Sequence, residues 1–153
     1  GLDYLEGQEV WVLCDGARHP DRTVSSGAIT LQLAGSKVQV GLPAVGRLET
    51  MNLEGGSGNG TAQGKTKRAH YATVRVLDSL GGMAGPDEDH LQEMRYRTPS
   101  VPMGSASAAF TGDLPSEWDG DYSTRATVVV KKDRPMPLTV VAVMPQLVVS
   151  EGR

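Results

Sequence analysis

An all-β fold is predicted: an antiparallel barrel or sandwich with long loop insertions and at most one short helix. Three observations predict it. Short runs of the chain alternate apolar and polar residues with period two, the pattern of a strand with one buried face. Nineteen glycines and nine prolines in 153 residues punctuate those runs as turns do. Aromatic residues make up only 5% of the chain, so a core must be built from Val, Leu, Ile, Ala and Met. The length fits one β-rich module over residues 1–153. The chain opens on Gly1 rather than Met, so we expect a fragment of a longer protein.

The elements follow in order. Residues 9–14 (EVWVLC) read as a strand, and Asp15-Gly16 as the turn that ends it. Residues 29–33 and 38–42 read as a hairpin folded about Gly35-Ser36. That register puts Ile29, Leu31, Leu33, Val38, Val40 and Leu42 on one face. Residues 46–53 read as a strand with Leu48 and Met51 as buried positions. Residues 55–64 read as a flexible glycine-rich loop, either a hairpin tip or a disordered crossing. Ala72, Val74 and Val76 alternate as in a half-buried strand, broken by residues 78–85. Residues 86–94 read as one short helix capped by Asp87. Residues 99–109 look irregular. Residues 126–131 alternate again, residues 132–136 turn the chain, and residues 138–144 form a last strand. Val141 and Val143 on its second face predict cover on both sides, from a second layer or a neighbouring subunit.

Composition narrows the function. A net charge of −3 predicts no bulk attraction to nucleic acid or anionic lipid. No apolar run approaches the roughly 20 residues of a membrane helix. The N-terminus carries no signal-peptide pattern. Cys14 is the only cysteine, which fits synthesis in a reducing cytoplasm. Among the three histidines and Cys14 no spacing matches a metal-ligand pair, so neither metal nor cofactor is expected.

Several motifs invite chemistry. Residues 59–66 (NGTAQGKT) approach a phosphate-binding loop, but Asn59 stands where its first glycine belongs, and a strand pattern follows instead of a helix. His19-Pro20-Asp21 matches a co-chaperone tripeptide but sits among β-like segments. Lys65, Lys67, Arg68, His70 and Arg75 form a basic cluster whose only aromatic neighbour is Tyr71. A solvated strand edge explains it better than single-strand nucleic-acid binding. Trp118 and Tyr122 flank Asp119 and Asp121, and aromatics beside carboxylates are the equipment of a sugar site. These four are the candidate ligand contacts. A catalytic site would need His19, His70 or His90 to meet Asp, Glu or Cys14 in a pocket. No nucleophile elbow is present, and we expect no enzyme.

Eight stretches resemble the C-terminal region of tail hub, or nozzle, proteins of short-tailed bacteriophages. They are GLDYLEG at residues 1–7 with VWVLCDG at 10–16, HPD at 19–21, VQVGLP at 38–43, QGKTKR at 63–68, VRVLDSLGG at 74–82, FTGD at 110–113 and DRPMPLTV at 133–140. Similar prophage proteins are likened to the FCCH domain of ubiquitin-activating enzymes. The resemblance spans nearly the whole chain. It implies a virion tail protein, made in the bacterial host cytoplasm. Its copies would form a homo-oligomeric ring and meet other tail proteins, with no catalytic residues. The alternative is a carbohydrate- or receptor-binding module at the tail tip.

Overall fold

The computed structural model of the chain describes residues 1–57, 60–102 and 105–150. The described residues form twelve strands: β1 Glu9–Cys14, β2 Ala17–Thr23, β3 Val38–Gly41, β4 Gly46–Glu49, β5 Gly56–Ser57, β6 Gly60–Thr61, β7 Lys67–Ser79, β8 Met83–Gly85, β9 Gln92–Glu93, β10 Phe110–Glu117, β11 Val129–Lys132 and β12 Val140–Val149. The only helical piece among the described residues is a 3-10 turn, Asp3–Leu5. The strands form three antiparallel sheets, ordered β2-β1-β3, β10-β7-β12 and β4-β11-β8-β9, with β5-β6 as a separate ribbon. The chain is all-β, and its sheets stay open rather than closing into a barrel.

β1 and its Asp15-Gly16 turn fall where the pattern places them. Both turn residues have positive φ, 49° and 81°, as a type I′ turn requires. The hairpin about Gly35-Ser36 does not form. β3 pairs with β1 instead, Val12 opposite Val40 and Cys14 opposite Val38. Residues 29–33 lie outside any strand, although Ile29 and Leu31 still pack on the small cluster of Leu5, Val10, Val12 and Val24. A contact distant in sequence has prevailed over a local one. The Asp15 carboxylate accepts the backbone N–H groups of Ser36 and Lys37, which draws the 35–37 bend onto the first turn. Gly35 is needed there for space: a Cβ would stand 2.0 Å from Cys14 Sγ.

The larger core lies between β10-β7-β12 and β4-β11-β8-β9. Ala72, Val74 and Val76 from β7 meet Ala84, Val128, Val130, Leu114 and Met94. β7 runs for 13 residues, beginning five residues before Ala72 and ending at Ser79, two residues into the expected break. A bulge near that end, with Asp78 at φ 44°, marks the break.

Three further expectations are corrected. Residues 86–94 hold a tight turn and β9 rather than a helix. Asp87 does cap it, but as the acceptor for the N–H groups of Asp89 and His90 in that turn. Leu48 is exposed and Met51 is 89% exposed, because β4 ends at Glu49. Beyond it, Thr50 and Asn52 bond the backbone of Val128 and Ala126, and Leu53 takes the inward place. Cover on both faces belongs to β11 and the residue before it, where Val128, Val129 and Val130 are all buried. In β12 a bulge between Val140 and Ala142 turns both Val140 and Val143 to the core and leaves Val141 59% exposed.

Candidate functional site

The four candidate ligand contacts do not form one site. Inward and outward positions alternate along β10 and just past it: Leu114, Ser116 and Trp118 are buried, Glu117 and Asp119 exposed. Trp118 is only 5% exposed, packs in the main core, and donates its indole N–H to Ala69 O at 2.8 Å. It offers no stacking face to a sugar, which removes the platform of the sugar-site expectation. Asp119 projects fully into solvent, 3.6 Å from Arg68. It shares an open groove of about 580 Å³ with Arg68, His70, Tyr71, Glu117 and the small exposed part of Trp118. Asp121 instead lines a separate hollow with Asp87 and His90. Tyr122 is 52% exposed.

The basic cluster is likewise divided. Lys67 is fully buried, and its ammonium donates to Glu54 at 2.9 Å. Arg75 forms a bidentate pair with Asp113 at 2.7 and 2.9 Å. The hydrogen bonds of Arg75 hold the Asp113 carboxyl below its ordinary range, against a smaller opposing effect of desolvation. Asn59 of the glycine-rich motif lies outside the described residues. On either side of it β5 and β6 pair as a ribbon, Gly56 opposite Thr61.

The histidines hold three different posts. His19 is buried in β2. Its Nε2 accepts Gln32 N–H at 2.9 Å, which makes Nδ1 the donor to Pro20 O at 2.8 Å. Both nitrogens of that neutral ring are occupied with structure. His70 Nδ1 is buried without a partner. His90 does meet a carboxylate, Nδ1 to Asp87 Oδ1 at 2.8 Å, in the hollow shared with Asp121, Ser123 and Thr127. The Asp87 hydrogen bond raises the His90 pKa, helped by its charge and by Asp89 and Asp121. Burial works against the Asp87 charge, but the hydrogen bonds from His90 and Asp89 prevail and lower its pKa. The pair anchors a turn. The nearby Ser123 hydroxyl donates to Arg125 O, so it is not set toward the imidazole as a nucleophile would be. Among the described residues no group of three His, Cys, Asp or Glu side chains is placed to hold a metal ion. Among the same residues no helix is long and apolar enough to cross a membrane.

A different feature stands out on the surface. β3 and β12 are outer strands of their sheets, and neither carries a charged residue. Exposed apolar side chains lie on and beside both: Val38, Leu42 and Val45 at the first, Val141, Met144 and Val148 at the second. Proteins usually blunt such edges with charge, or cover them. The legible signal was an absence of charge over residues 38–46 and 140–149. No protein-family model matches the chain, and no curated protein is similar to it at a significant level.

Proposed function

We propose that this chain is a structural component of a bacteriophage or prophage tail, assembling with other subunits in the tail hub or nozzle. The observation that carries the assembly reading is the pair of uncharged, apolar, open strand edges. Such edges are templates for another chain, because main-chain N–H and C=O groups there await a partner. The phage setting rests on the series of stretches that resemble tail hub proteins. Two of the three histidines, His19 and His90, hold loops. The receptor-binding alternative loses its main support with Trp118 in the core.

The test is to find the chain in particles. Induced lysates of the source bacterium would be fractionated and purified particles probed with gold-labelled antibody to residues 1–153. The proposal expects label at the tail tip. Particles that lack the chain, while the soluble fraction holds it, would overturn it.

A further inference from the structure

We propose that Lys67 and Asn52 join in a covalent amide bond, formed within the folded chain with Glu54 as the proton carrier. This is a step the chain performs on itself, independent of the tail setting.

Three side chains converge at the start of β7. Lys67 is its first residue, fixed by backbone bonds in both directions with Ser123, Lys67 N to Ser123 O at 2.8 Å and Ser123 N to Lys67 O at 2.9 Å. Its side chain is fully buried, and its ammonium donates to Glu54 Oε1 at 2.9 Å. The Asn52 carboxamide donates from Nδ2 to the same oxygen at 2.8 Å. Asn52 Oδ1 accepts the Ala126 N–H at 2.9 Å, so both ends of the amide are held and its orientation is defined. Two nitrogens bonded to one oxygen at those lengths stand within about 6 Å of each other. Burying an ammonium is costly, and one ion pair with a part-exposed carboxylate offsets that cost poorly. A lysine turned into a neutral, hydrogen-bonded amide no longer carries it.

The arrangement supplies each part of an acyl transfer from amide nitrogen to amine. Glu54 takes a proton from Lys67, and the neutral amine swings from Oε1 onto Asn52 Cγ. The new C–N bond forms as negative charge gathers on Oδ1, which the Ala126 N–H already binds. Glu54 passes the two protons shed by the amine to Nδ2, the Cγ–Nδ2 bond breaks, and that nitrogen leaves as ammonium. Asn52 is exposed and Glu54 one-third exposed, which opens a way out to water. Nothing is oxidised or reduced, and Glu54 ends as it began. Until the bond forms, Lys67 and Glu54 are the ion pair described above. Once formed, it closes residues 52–67 into a loop that holds the β5-β6 ribbon.

The test is the mass of the purified chain under denaturing conditions. Loss of ammonia is expected to lower it by about 17 Da from the sequence mass. Asn59-Gly60 loses the same mass if it cyclises to a succinimide, so the mass is read after mild base, which opens a succinimide and leaves an amide intact. Trypsin should then release residues 48–65 joined to residues 66–68, uncut after Lys67. Lys67→Arg and Glu54→Gln should each keep the full mass of their own sequences, with circular dichroism to check that they fold. Wild type at its full sequence mass overturns the proposal, whatever the variants do. So does a loss that persists in Lys67→Arg or in folded Glu54→Gln.

Discussion

At the scale of single residues, the side chains that looked most chemical hold structure. Trp118→Phe keeps the ring but leaves Ala69 O without its indole donor, and should cost about 1–3 kcal/mol in denaturant unfolding. Trp118→Ala should cost roughly 3–5 kcal/mol, as expected for a large buried aromatic. A surface tryptophan would lose almost nothing in either case. Gly35→Ala drives a methyl into Cys14 Sγ and should cost about 1–3 kcal/mol, most of it recovered when Cys14 is also made Ala. His90 and Asp87 should show opposite titrations by NMR, the imidazole above its ordinary 6.5 and the carboxyl below 3.8. The raised His90 stabilises below its unfolded pKa, and that contribution is lost as pH rises through the folded value. The lowered Asp87 stabilises above its unfolded pKa, and that is lost as pH falls through the folded value. Asp87→Asn should bring the His90 titration back down. An unchanged His90 midpoint in that variant would rule out the pair.

At the scale of elements, period-two alternation was a good guide where a strand meets one core. It located β1 fully and the buried stripe of β7. It failed where geometry is set from a distance. Turn chemistry at Gly35-Ser36 described a plausible hairpin, but β1 supplied a better partner for β3. Bulges in β12 shift which residues face inward, so a strict alternation misplaced Val141. The acidic run at 87–89 satisfies a turn as well as a helix start, and only the pairing of β8 with β9 decides between them. Burial of Lys67 was also illegible, because a lysine in a basic run reads as solvated. Its ion pair makes a prediction for this region. Glu54→Ala leaves a buried ammonium unpaired and should cost toward the lower end of roughly 3–5 kcal/mol, since Glu54 itself is one-third exposed. Lys67→Met, which removes the charge, should cost less in the same unfolding measurement.

At the scale of the whole molecule, the fold class was legible because it depends on composition and punctuation. The candidate site was not. Trp118 turns into the core while its neighbours Glu117 and Asp119 stay exposed, since successive residues point opposite ways. What distinguishes this molecule is a pair of uncharged, apolar outer strands, β3 and β12, among the described residues. The proposed assembly role accounts for them. The most direct test is the absolute mass of the protein, by light scattering across a concentration series. A discrete multi-subunit species that persists on dilution is the predicted result. A monomer at every concentration would contradict assembly as the function.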